Sequence, residues 1–131
     1  KDIKIALSDP MGSALYSFIK ENKLESTGSS ITEGIGNGRV TKNFEKALID
    51  NAFQTNDVEA LNLIFELYEK QGIMLGGSSG INIAGAIKLA NEMGPGHTIV
   101  TILCDKGIRY KSKLLNKDFL KSKNLPIPEW L

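Results

Sequence analysis

The run Ile99-Val100-Thr101-Ile102-Leu103 carries no charged or amide side chain and no apolar–polar alternation. A strand with one wet face alternates, whereas a strand covered on both faces need not, so the run predicts a buried strand over Thr98 to Cys104 in a parallel sheet. Shorter apolar stretches precede it. Lys4 to Ser8 and Asn51 to Gln54 read as strands, and Ile73-Met74-Leu75 as a short buried strand. Helical patterns lie between them. Asp9-Pro10 breaks the first strand, and Leu15, Phe18 and Ile19 form a stripe ending near Asn22. Phe44 to Leu48 reads as a short helix. Asn56 caps the clearest helix, with Glu59 as capping-box partner, and Val58, Leu61, Phe65 and Tyr68 fall on one face before Gln71-Gly72 stops it. A second helix runs from Ile81 to Glu92 and ends at Gly94-Pro95-Gly96. One or two short helices lie between Tyr110 and Lys123, and Leu125 to Leu131 is extended. The order implies an α/β fold: a partial three-layer, mainly parallel open sheet with helices on both faces.

Composition narrows the function. The chain has 131 residues, enough for one modest domain, and a formal net charge of +1. That charge gives no electrostatic case for nucleic acid or for an anionic membrane. The apolar runs are too short to span a bilayer. The charged start Lys1-Asp2-Ile3-Lys4 is unlike a signal peptide. A single cysteine, Cys104, allows no internal disulfide and suits a reducing cytoplasm. At the end of an apolar strand it reads as a buried, inert thiol. His97 stands alone beside Gly96 and Thr98, a turn or surface position rather than a metal ligand, and no metal site is expected. Five lysines between Lys111 and Lys123 read as a solvated helix face.

Three glycine-rich or strand-end segments stand out as sites. Gly76-Gly77-Ser78-Ser79-Gly80 follows a strand and opens a helix, where open α/β sheets bind ligands. Ser78 and Ser79 add hydroxyls that donate and accept. A tight turn in which a serine merely caps the helix is an equal alternative. The segment is neither a Walker A loop nor a dinucleotide fingerprint, which weakens a nucleotide-binding reading. Glu33-Gly34-Ile35-Gly36-Asn37-Gly38 exposes backbone within a long Gly/Ser/Thr-rich passage, Lys23 to Asn43. It can wrap a small ligand or serve as a flexible connector. Asp105 follows the strongest strand and can accept a hydrogen bond or act as an acid–base group, though a turn or cap residue is the plainer reading.

Taken together, DPMGSALY (Asp9 to Tyr16), EGIGNGRVTKNFE (Glu33 to Glu45), GIMLGGSSGINIAGAIKLA (Gly72 to Ala90), the stretch from Gly94 to Leu120 and the closing LPIPEWL resemble the cysteine synthase family in one register. That family uses pyridoxal phosphate on the fold of the tryptophan synthase β chain. The resemblance implies that Ser78 hydrogen-bonds the cofactor's pyridine nitrogen, with Ser79 a weaker candidate. It implies that Gly34, Ile35 and Gly36 present backbone near cofactor and substrate, and that Asp105 lies near the pyridine edge.

The family's Schiff-base lysine sits in a P-x-x-S-x-K-D-R type of motif. Neither that motif nor the T-S-G-N-T-G and G-T-G-G-T types of loop occurs here, although fourteen lysines are present. The expectation is therefore that residues 1–131 form a single partial domain, the C-terminal part of a larger pyridoxal-phosphate-binding domain, with no catalytic lysine of its own and no activity or cofactor binding alone. The parent would make cysteine from O-acetylserine and sulfide, with an amino-acid substrate and a homodimeric or swapped assembly. A cystathionine β-synthase-like enzyme is the neighbouring alternative. A non-catalytic α/β binding or interaction module is the alternative from another class.

Overall fold

The computed structural model describes residues 3–131. The charged pair Lys1-Asp2, part of the reading of the first stretch, lies outside the described residues. Two strands, β1 (Ala6–Pro10) and β2 (Asn51–Thr55), pair in parallel, with Ala6 opposite Asn51 and Pro10 opposite Thr55. Parallel neighbours need a crossover, and here it contains α1 (Leu15–Glu21) and the short α2 (Lys42–Glu45). The strand runs through Asp9-Pro10 instead of breaking there. Pro10 is the last residue of β1, where its missing N–H costs no inner ladder bond. Asp9, only 1% exposed, turns its carboxylate to α1 and accepts from the Tyr16 amide at 2.8 Å. This satisfies one of the amides that a helix start leaves free.

Alternation along β1 produces the layers. Ser8 faces the other way from Asp9 and donates to the Ile81 carbonyl at 2.6 Å. Ile81 belongs to α4 (Gly77–Met93), so α1 and α4 cover opposite faces of the sheet. Close approach explains the small residues of α4. A Cβ on Gly85 would collide with the Ser8 side chain, and one on Gly80 would lie 2.5 Å from the Ala60 carbonyl oxygen.

Ala60 is on α3 (Asp57–Gln71), which begins as its cap predicts: the Asn56 side chain accepts from the Glu59 amide at 2.9 Å, and Gly72 closes it in a left-handed conformation. Leu61 and Phe65 of the expected stripe are buried, joined by Ala60 and Ile64, while Val58 and Tyr68 lie at its exposed margin. The main core is built from Leu61, Ile64, Phe65, Leu75, Leu114 and Leu120. Leu114 and Leu120 come from α5 (Lys111–Leu114) and α6 (Lys117–Ser122), which follow a 3-10 turn at Gly107–Tyr110. The extended tail closes over α3, where Trp130 meets Phe65 and Tyr68 edge-on at 5.7 and 4.8 Å.

Two predicted strands do not form. Ile73-Met74-Leu75 contributes a single antiparallel bridge, Leu75 to Lys106. Thr98 to Cys104 has no strand hydrogen-bond ladder, and Val100, Ile102 and Leu103 are 83%, 64% and 52% exposed. A strand needs a ladder with a neighbour, and among the described residues no strand pairs with this segment. Its polar ties go sideways to α4: Asn82 donates to the Ile102 carbonyl at 3.0 Å, and Thr101 donates to the Asn82 carbonyl at 3.3 Å. Cys104, expected to be buried, is exposed for the same reason. The α/β class with a parallel sheet and flanking helices stands, with two paired strands among the described residues.

Candidate functional site

The Gly76 to Gly80 segment is the start of α4 rather than a loop before it, since the helix begins at Gly77 and Gly76 caps it in an extended conformation. The first turn of a helix has amides without intrahelical acceptors and carries the positive end of the helix dipole. Ser79 is fully buried, and its hydroxyl accepts from the Cys104 amide at 2.9 Å. It ties the exposed segment to the helix. Ser78 is 6% exposed. Among the described residues its side chain makes no hydrogen bond, so its hydroxyl is left for something else.

The Glu33-Gly34-Ile35-Gly36 segment forms an arc pinned at both ends. At the far end, the Asn37 carbonyl accepts from the Ala14 amide at 2.9 Å and from the Ser13 hydroxyl at 3.0 Å, while its amide donates back to Ser13 at 2.9 Å. At the near end, Asp57 accepts from the Ile31 amide at 2.8 Å and from the Ser30 hydroxyl. Lys113 donates to the Ile31 carbonyl at 3.3 Å and pairs with Glu33. Gly36, at φ 80°, sits against the carboxyl end of β1, where a Cβ would lie 2.7 Å from the Pro10 ring. Gly34, at φ 74°, faces open space. A side chain would be strained at either position. Ile35 between them is half-buried.

Asp105 lies on the other side of the α4 start. Its carbonyl accepts from the Gly76 amide at 2.9 Å, and its Oδ2 accepts from the Tyr110 hydroxyl at 2.6 Å. The hydrogen bond to Asp105, more than burial, raises the Tyr110 phenol above its ordinary value, because ionisation would abolish the donation. Oδ1 of Asp105 is buried without a hydrogen-bond donor. The turn-residue reading is incomplete, since Lys106 rather than Asp105 caps the 3-10 turn.

The fold thus brings the three candidate segments to one end of the sheet. A small cavity joins Thr32 and Glu33 to Gly77, Tyr110 and Lys113. Tyr110, Lys113 and Ser13 were not singled out in the sequence. Tyr110 follows Asp105 closely enough to have been suspected, but nothing in the lysine-rich run marks Lys113 from its neighbours. Chemically, the ensemble offers a free hydroxyl, an unsatisfied carboxylate oxygen and open backbone. Among the described residues no group of three or more His, Cys, Asp or Glu side chains is placed to hold a metal ion.

Known proteins resemble this chain over most of its length. The family model described as "Pyridoxal-phosphate dependent enzyme" matches residues 1–105. The chain is 38% identical over 135 aligned positions to cysteine synthase 1 of Neurospora crassa, covering 98% of this chain and 36% of that protein. It is 40% identical over 133 positions to cysteine synthase of Dictyostelium discoideum, covering 94% of this chain and 35% of the relative. The crystal structure of the O-acetylserine dependent cystathionine β-synthase of Helicobacter pylori superposes with a TM-score of 0.73 at 31% identity, over 85% of this chain and 34% of that one. The chain therefore spans roughly a third of the length of these relatives.

Proposed function

The chain belongs to the family of pyridoxal-phosphate-dependent enzymes, and from that membership we propose that residues 1–131 form part of a cysteine synthase, the C-terminal part of its larger cofactor-binding domain. The reaction is β-replacement: O-acetylserine and sulfide give cysteine and acetate. The relatives named above as cysteine synthases support it, and one observation carries it to particular atoms. The Ser78 hydroxyl, in the first turn of a 17-residue helix, has no partner among the described residues.

The residues fit the cofactor on two counts, the free Ser78 hydroxyl and the buried, donor-less Oδ1 of Asp105. When bound, pyridoxal phosphate supplies an electron sink for charge developing at the substrate's α-carbon. Ser78 would meet the pyridine nitrogen. A carboxylate there would hold that nitrogen protonated, whereas a neutral hydroxyl leaves it neutral, which suits elimination and replacement. Gly34, Ile35 and Gly36 would offer backbone groups to cofactor and substrate. Asp105 would sit at the ring edge, and Ser79 would act indirectly by fixing Cys104. No lysine of the chain is assigned to the Schiff base, and the 131 residues alone are expected to show no turnover of O-acetylserine and sulfide. A homodimer in the cytoplasm belongs to the same reading. The lone cysteine suits a reducing compartment, and among the described residues no helix is long and apolar enough to cross a membrane.

The Helicobacter pylori neighbour favours one second reading, a cystathionine β-synthase-like enzyme with a thiol acceptor. Sulfide against homocysteine as acceptor separates the two, since an O-acetylserine-dependent enzyme of either kind releases acetate. The Ser78 assignment is tested by Ser78→Ala in the cofactor-loaded protein. Loss of one hydrogen bond, about 1.4 kcal/mol, is expected to slow turnover roughly tenfold and to move the cofactor's absorbance. An unchanged spectrum and rate would remove Ser78 from the site.

A further inference from the structure

We propose that Lys113 is a positioning residue of this site: bonded to the Ile31 carbonyl and the Glu33 carboxylate, it holds the Glu33-to-Gly36 arc beside the first turn of α4. The inference rests on the cofactor reading above for its consequence, but its geometry stands apart from that reading.

The other four lysines between Lys111 and Lys123 are exposed, whereas Lys113 is half-buried, with its side chain 32% exposed. Its backbone is fixed by its neighbour Leu114, which is 2% exposed and part of the main core. A lysine stem anchored on a core helix and reaching across to a loop carbonyl transmits the position of the core to that loop. The loop needs this. Gly34 has open space where a side chain would stand; the Ser30 hydroxyl holds Thr32, but across residues 33–36 the only side-chain hydrogen bond among the described residues is that of Lys113 to Glu33. Such a segment opens locally at low cost unless its ends are held. Thr32, directly before Glu33, lies against Gly77, so closely that a Cβ on that glycine would stand 2.6 Å from the Thr32 methyl group. Wherever Lys113 sets Ile31 and Glu33, Thr32 and the mouth of the α4 start follow.

A partly exposed ion pair contributes little to global stability, so the effect is local. In the natural polypeptide that carries these residues, freed of cofactor, Lys113→Ala is expected to speed amide exchange at residues 34–38 about fivefold while leaving α3 unchanged. Added pyridoxal phosphate, followed by its fluorescence, is expected to bind about fivefold more weakly. Lys113→Arg should restore both, since it keeps a cation within reach. Glu33→Gln removes the partner from the more exposed side of the pair and should reproduce the exchange effect if Lys113→Ala destabilises the whole fold. Unchanged exchange at 34–38 in both variants overturns the tether and leaves the cofactor reading standing. Faster exchange with unaltered cofactor affinity reduces Lys113 to a structural contact and also overturns the proposal. A wild-type protein that takes no pyridoxal phosphate sinks the cofactor reading, and the positioning role with it, even where the exchange result confirms the contact.

Discussion

Leu61 and Val100 are both apolar residues in segments with clear patterns, yet Leu61 is fully buried and Val100 is 83% exposed. The first lies on α3, packed on one side by α4, which follows it directly, while α5, α6 and the tail return from far along the chain to close the other side. The second lies in a run whose hydrogen bonds to other elements, among the described residues, go sideways to α4. A helix carries its own backbone hydrogen bonds and needs others only for its side chains. A strand needs a neighbour for both. Apolar pattern alone therefore buried the helices and did not bury the run.

That contrast can be tested, beginning where the effect is greatest. Ile64→Ala deletes a fully buried side chain and should cost about 3 kcal/mol in chemical denaturation. Ser79→Ala takes the acceptor from the Cys104 amide and should cost about 1–2 kcal/mol. It should also speed modification of the Cys104 thiol, which is already open to reagents in the folded protein. Val100→Thr should stay within about 0.5 kcal/mol of the parent, because a side chain already in water loses little. A loss as large as that for Ile64→Ala would show that the run is covered in solution and would break the contrast.

The smallest effect concerns charge. Burial holds the Asp9 carboxyl above its ordinary value of 3.8, outweighing hydrogen bonds from Ser13, Tyr16 and Leu15 that act the other way. The folded state keeps this proton longer than the unfolded chain, so the contribution to stability is full below 3.8 and falls as pH rises through the raised value. Asp50, exposed, is held below 3.8 first by the Ile5 amide and then by Lys4. Its contribution is present above 3.8 and is lost as pH falls through the lowered value. Denaturation midpoints of Asp9→Asn should therefore gain on the parent as pH rises from 3.8 through the raised value, whereas those of Asp50→Asn should lose on the parent as pH rises through the lowered value towards 3.8. The same slope for both would contradict the burial contrast.

Local signals were legible where one residue type has one cheap use. Asn56 before Asp57 and Gly72 after Gln71 bounded α3 correctly because a cap is decided within a few residues. The start of α4 was misplaced by one turn, since glycines and serines read as a loop when only their neighbours are considered. Here Ser79, buried against the Cys104 backbone, and Gly80, against Ala60, draw the segment into the helix. Ser78, Gly34, Ile35, Gly36 and Asp105 could be named from the sequence as candidates. Their convergence could not, nor could Ser13, Tyr110 and Lys113, whose contacts span from 5 residues (Tyr110 to Asp105) to 82 (Lys113 to Ile31).

The sequence by itself determined the α/β class, the capped helices and the glycine-flanked serine, because periodicity, capping and left-handed turns depend on residues a few positions apart. Only the tertiary structure decided which apolar runs become strands, which serine keeps a free hydroxyl and which lysine reaches the arc. Those outcomes depend on distant backbone arriving at hydrogen-bonding distance, and no local pattern encodes that arrival.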